Sequence, residues 1–492
     1  MSPRIEELPQ NDHDPTGSAP DRTTSAGPVS EHLGPVRSWA GLRHLLVRLH
    51  FYAGVLVAPF LLVAALTGLA YTLAPQLDAL VYGDQLRVES VGGETRPLAE
   101  QIAAARSAHP EGTTMSVTTP PGPEDTTRVV LSVPELGDKQ RTVFVDPYTA
   151  EVQGELTTWF GSTPLTTWLD DLHRNLHLGE TGRLYSEAAA SWLWVIVAGG
   201  LVLWLGRSRG RRAKSVRGVL LPDRTAGGVR RTRSWHAATG VWLALGLLFL
   251  SATGLTWSQH AGERFGQALD ATNGRAPSLD TALPGGDAPA GDHAEHAEHG
   301  GSGGEAGDAD PAAFAAALTA ARGAGLDGTV EVTPPADPAS AWVVAQTDNV
   351  WPVHYDQVAV DTTTGEVVSH NRWAGYPVLA KLSKLGVQGH MGVLFGIVNQ
   401  IVLAVIALGL TAVIIWGYRM WWQRRPTRTD RTALAGKAPE RGAWRRLPLT
   451  ALVLGIPAVA ALCWALPVLG VTLIGFLMVD AMLGAARRIR TT

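Results

Sequence analysis

The chain has 492 residues, 46% of them hydrophobic, with a mean hydropathy of +0.07 and a formal net charge of -3. It is too long for one small domain and too apolar for a purely soluble one, which indicates a membrane protein with sizeable polar parts. The single cysteine, Cys463, excludes a disulfide framework, a thiolate zinc site and an iron–sulfur cluster, and no Cys-x-x-Cys-His motif is present for covalent haem attachment.

Residues 1–42 are rich in Pro, Gly, Ser, Thr and Asp, the composition of a disordered tail. The first membrane span is expected at 49–73. It is no cleavable signal, because about forty polar residues precede it and it exceeds the usual h-region of roughly 7–15 residues. An α+β module over 95–155 follows: a helix at 97–109, three strand-like runs, and a turn at Asp146-Pro147-Tyr148-Thr149. The stretch TPLTTWLDDLHRNLHLGETGRLY is amphipathic and aromatic enough to lie at the interface. A second span at 187–206, a basic loop at 207–234 and a third span at 235–258 come next. A His-, Gly- and Asp-rich linker over 270–309 leads to a second α+β module at 310–370 and a fourth span at 390–418. A basic loop at 423–446 precedes a hairpin of two spans at 447–485, hinged near Pro467. Basic residues cluster beside the spans, so the positive-inside rule places them, and both termini, in the cytoplasm and makes nucleic acid an unneeded partner.

The halves match. His50, Gly54 and Thr67-Gly68-Leu69 share one offset with His236, Gly240 and Thr253-Gly254-Leu255, and His177-Leu178-Gly179 pairs with His390-Met391-Gly392. The fold class read from this pattern is an all-α transmembrane bundle of about six helices, built on a parallel internal repeat, with two small extracytoplasmic α+β modules.

Topology sorts four histidines into two levels: His50 and His236 toward the cytoplasm, His177 and His390 toward the outside. Two neutral imidazoles on opposing helices suit the axial positions of a haem iron, so two non-covalent haem b groups are expected, one per level. His173, one helical turn before His177, is a secondary candidate ligand. Interfacial placement or shared ancestry of the halves is the competing account of these histidines, and close helix packing is that of the neighbouring glycines. Arg48, Arg174, Arg183 and Arg233 read more simply as topology or headgroup contacts than as haem-propionate partners, and Asp480 is assigned no role. In the linker, His293, His296 and His299 stand three apart among Glu295 and Glu298, a tract that attracts metal loosely rather than forming a defined site.

LHRNLHLGETGRLY, WHAATGVWLALGLLFLSATGLTW and the module ends VDPYTAEV and VDTTTGEV resemble the PepSY-associated transmembrane helix family, the iron-regulated membrane proteins, over about residues 43–422. The resemblance implies an integral membrane siderophore reductase in the bacterial inner membrane, with His50, His177, His236 and His390 as haem ligands and PepSY-like modules forming the outer face where a ferric siderophore or other ferric chelate docks. Reduction converts a hard, tightly chelated ferric ion into a softer, weakly held ferrous ion, and needs no catalytic acid, base or nucleophile. No Rossmann fingerprint is present, so the electron donor is separate, either a quinol in the bilayer or a cytoplasmic reductase. Two other classes remain open: a membrane-anchored PepSY binding module that restrains a protease or senses a ligand, and a transporter.

Overall fold

A computed structural model describes residues 35–208, 220–283, 309–423, 447 and 449–489. The expected tail to residue 34, residues 209–219 of the first basic loop, nearly all of the second, and the linker histidines His293, His296 and His299 lie outside the described residues. Helix α1 (Pro35–Leu56) begins inside the expected tail, and with α2 (Ala58–Tyr71) forms the first span, bent by 56°. Pro59 accounts for the break, since it lacks an N–H and its ring clashes with the preceding turn. Helices α3 (Ala74–Val81) and α4 (Gly83–Leu86) lead to α5 (Leu98–Ala108) and strands β1 (Thr113–Thr118), β2 (Thr127–Ser132), β3 (Gln140–Val145) and β4 (Val152–Thr158).

The chain returns through α6 (Pro164–Asn175) and the long α7 (Gly179–Ser208), crosses back in α8 (Gly228–Leu255), and turns into α9 (Gln259–Ala271). Then come α10 (Pro311–Gly323), β5 (Val330–Thr333), β6 (Trp342–Gln346), β7 (Gln357–Asp361), β8 (Glu366–Asn371), α11 (Val378–Met391) and α12 (Ile397–Gln423). The chain ends in α13 (Leu449–Ala465) and α14 (Pro467–Ile489). The protein is a multi-pass membrane protein. Among the described residues, four helices are long and apolar enough to cross a bilayer, five if the bent pair counts as one span. The sixth span read from the sequence is not met: α13 has 17 residues with Pro457 inside it, short of the roughly 20 a bilayer needs.

The two separate modules read from the sequence are also corrected. Their strands form one eight-stranded antiparallel sheet in the order β4-β3-β2-β1-β5-β6-β7-β8. The seam is β1 against β5, where Val117 pairs with Val332, and the Thr119 and Val330 backbones and the Thr119 hydroxyl extend the ladder. A lone four-stranded module would leave β1 and β5 as open edges, and joining them removes both liabilities. Helices α5 and α10 pack together and cover one face, burying Ile102, Leu131 and Phe314 completely. Each such side chain contributes on the order of 1.5–3 kcal/mol. The order of one helix and four strands is the same on either side of the seam. Both β3–β4 and β7–β8 turns are closed by an aspartate: Asp146 accepts from the Tyr148 amide and Asp361 from the Thr363 amide.

The membrane bundle is built around α8, which packs against α7 and α12, while α1 lies on α7 and α2 on α12. Its core joins Ala58, Leu61, Leu193, Leu243, Leu247 and Ile414. The α8–α12 crossing is close because glycine supplies it on both sides. A Cβ on Gly246 would stand 2.7 Å from Ile406 Cδ1, and one on Gly409 2.7 Å from Leu243 Cδ1. Buried Glu187 of α7 receives the His260 and Ala261 amides at 3.1 and 2.8 Å, so its carboxylate caps the first turn of α9. Arg48, also buried, is ion-paired with Asp480 of α14 and stands over the Tyr52 ring. The last helix is thereby tied to the first.

Gly409→Val should push Leu243 off its rotamer and lower stability by about 1–3 kcal/mol. Thermal unfolding in detergent measures this against Gly455→Ala, a position where an added Cβ meets nothing within 4 Å and little loss is expected.

Candidate paired-histidine sites

Four imidazoles in the bundle are held in the same way, each by its Nδ1. His50 of α1 bonds the Ile196 carbonyl of α7 at 2.9 Å, and His236 of α8 bonds the Val413 carbonyl of α12 at 2.9 Å. A carbonyl only accepts, so Nδ1 carries the proton in both rings and Nε2 keeps its lone pair. His173 of α6 meets the Thr67 hydroxyl of α2 at 3.0 Å, and His390 of α11 meets the Thr253 hydroxyl of α8 at 2.8 Å. Each threonine already donates its one hydrogen to a carbonyl a turn earlier, Val63 and Phe249. The hydroxyls must therefore accept from Nδ1–H, and here too Nε2 is the free nitrogen. Burial pushes the His173 imidazole below its ordinary pKa, so the neutral form is favoured.

The four rings stand in two couples. The centres of His50 and His236 are 6.3 Å apart with the planes at 81°, and those of His173 and His390 are 6.4 Å apart with the planes at 55°. A metal held between two imidazole nitrogens at about 2.0–2.1 Å each, with roughly another 1.1 Å from nitrogen to ring centre, sets opposed centres about 6.3 Å apart. Both couples meet that spacing. Among the described residues no cluster of three or more His, Cys, Asp or Glu could hold a bare ion. Two imidazoles per site therefore suit a metal whose other ligands come with it, as in a porphyrin.

Glycine lies against these rings. A Cβ on Gly200 would stand 3.2 Å from His50 Cε1, one on Gly68 3.0 Å from His173 Cε1, and one on Gly254 3.3 Å from His390 Cε1. Gly54 and Gly240, one turn beyond His50 and His236, have no atom within 4 Å of an added Cβ. The first group lies against the rings, and the second leaves open space on their helix face.

The couples lie at opposite ends of the bundle. Along α8, His236 and Thr253 are seventeen residues apart, a rise of about 25 Å. That is close to the roughly 30 Å of hydrocarbon in a bilayer. Thr253 holds His390, so the second couple sits toward the sheet and the first toward the end where α7, α8 and α12 meet the basic stretches.

His50 and His236 thus stand together as the sequence pattern has them, but the partner of His390 is His173. His177 falls in the turn after α6, where Leu176 and His177 both have positive φ (56° and 55°), and its ring lies 5.1 Å from Trp168. The His-x-Gly match misleads because α6 ends before His177, whereas α11 runs through His390. Both rings of the couple beneath the sheet sit on the short helices before the spans rather than on the spans themselves. The threonines and carbonyls that orient the rings are absent from the sequence reading; the repeated Thr-Gly at 67–68 and 253–254 was their signal. Arg174 pairs with Asp170 and Asp171, and Arg183 with Glu180.

Thr253→Val would strand a buried Nδ1–H, costing about 1–3 kcal/mol, whereas Thr253→Ser keeps the acceptor. Paired thermal melts in detergent should show the valine variant destabilised and the serine variant close to the parent protein.

A comparison with curated proteins finds no match. The PepSY-associated TM region matches residues 47–424, well over half of the 492. That stretch holds all four rings of the two couples and the whole sheet, and the chain belongs to the PepSY-associated TM region family.

Proposed function

We propose that this protein is a haem-carrying electron-transfer protein of the bacterial inner membrane that reduces ferric iron, as a siderophore or similar ferric chelate, on the extracytoplasmic side. The observation that carries this reading is the identical handling of four rings: each fixed through Nδ1, each with Nε2 free, and each facing one partner at 6.3 or 6.4 Å. Hydrogen bonds of this kind fix the tautomer of a metal-ligating histidine and raise its basicity. Two haem b groups, one per couple, would supply one-electron carriers at the two faces of the bilayer.

The remaining work falls to the chain. His50 and His236 would hold the group on the basic side, taken as cytoplasmic by the positive-inside rule, and His173 and His390 the one beneath the sheet. Gly54 and Gly240 give a flat ring room. We read the two halves, each with a span, a helix and four strands and a second span, as copies of one unit, with the sheet as the face where a chelate docks. One electron weakens the grip of oxygen-rich ligands on iron, so reduction alone releases it. Electrons come from a separate donor.

Protein purified after expression with ample haem should give low-spin bands in a reduced-minus-oxidised spectrum. His173→Ala and His390→Ala should each remove the same half of the bound haem, and His50→Ala and His236→Ala the other half. His177→Ala should keep both. A colourless protein indifferent to all five changes would instead favour a membrane-anchored binding module.

A further inference from the structure

One cavity of the membrane bundle has no part in holding the four rings. It measures about 390 Å³, within the range of small-molecule sites, and opens between α1, α7 and α14. Its walls are apolar and partly aromatic: Leu49 and Ala53 of α1, Phe60 just past the break, Trp192 of α7, and Gly475 and Phe476 of α14. Of its polar groups, the Trp192 indole N–H donates to the Thr472 hydroxyl at 2.8 Å and Thr472 donates to the Val468 carbonyl, and Tyr185 also lines it.

What sets this cavity apart from a lipid-filled crevice is its neighbourhood. Leu49 and Ala53 flank His50 in sequence, so one wall of the cavity belongs to the helix that carries a ring of the first couple. Leu49 and Val479 line it, and the residues next to them in the chain, Arg48 and Asp480, form an ion pair. Asp480 is the only acidic residue of α14. The pair joins two of the helices that wall the cavity, α1 and α14. Helix α14 lies beyond residue 424, where the family match ends, so this chain adds the third wall itself.

We propose that this cavity binds a lipid-soluble quinol and that it is the electron-entry site of the protein; the inference rests on the electron-transfer reading above. Flat aromatic walls suit a quinone ring and apolar walls suit its tail, and the Arg48–Asp480 pair stands one residue beyond the lining on two of its walls. The bookkeeping closes. Oxidation of one quinol breaks two O–H bonds and yields a quinone, two protons and two electrons. The electrons leave one at a time toward the site between His50 and His236 and reduce two ferric ions at the far face. The protons pass by way of Asp480 to the water on the basic side.

The test uses the full chain in phospholipid nanodiscs with a short-tailed aryl-azide benzoquinone as photoprobe, and maps the labelled peptides by mass spectrometry. Label is expected in peptides spanning 49–60 and 468–480, displaced by decylubiquinol. It should drop at least tenfold in Gly475→Phe, where the added ring enters space that holds no atom within 4 Å of the Cβ. Ala53→Leu, which fills the cavity from another wall, should give the same loss. Asp480→Asn should keep the label but slow reduction by decylubiquinol at least tenfold, with reduction by dithionite unchanged. Label elsewhere, label indifferent to both filling variants, or displacement by phospholipid but not by decylubiquinol would overturn the proposal. The electron-transfer reading fails separately, by the absence of a dithionite-reduced low-spin spectrum whatever the photoprobe does.

Discussion

The arrangement of this bundle depends on one hydrogen bond made four times, from an imidazole Nδ1 to an oxygen on a neighbouring helix. Two acceptors are main-chain carbonyls, Ile196 and Val413, and two are threonine hydroxyls whose own hydrogens are already committed. In a medium without water, an imidazole N–H left unpaired costs more than the bond returns on forming. The bonds therefore hold helix to helix as well as ring to place: α1 to α7, α8 to α12, α2 to α6 and α8 to α11. Glycine permits the approach at three of the four, because an added Cβ on Gly200, Gly68 or Gly254 would press on the His50, His173 or His390 ring.

Much of this was legible in the sequence. The apolar runs, the two α+β stretches and the offset that places His50 and His236 at equal depth follow from length, period and landmark spacing alone. The joined sheet was not, because Val117 and Val332 are 215 positions apart and pairing at that distance leaves no local signal; it is set by which edge each module leaves open. Nor was the outer couple. His173 and His177 are one turn apart in an amphipathic stretch, and only the left-handed turn at Leu176–His177 decides that the helix ends between them. Periodicity cannot place a helix terminus to within a residue. Asp480 reads as solvated near a helix end, and its partner Arg48 is 432 positions away.

The structure also separates what the family shares from what this chain carries in addition. Both couples and the sheet lie within residues 47–424, while α13 and α14 lie beyond them and lean against α1, α7 and α9. Through Arg48 and Asp480 the added hairpin reaches the residue pair next to His50. The hairpin runs from α9, just past the end of α8 that carries Thr253, to Arg48 beside His50, and so braces one side of the bundle along its length.

Electron paramagnetic resonance of the oxidised, haem-supplied protein tests the central claim most directly, since it counts low-spin centres and is sensitive to how their axial rings are crossed. Two low-spin ferric signals of equal intensity are expected, the more anisotropic one from the couple whose rings cross at 81° and the other from the couple at 55°. High-spin iron alone, a single low-spin centre, or no bound iron would contradict paired imidazole ligation at two levels.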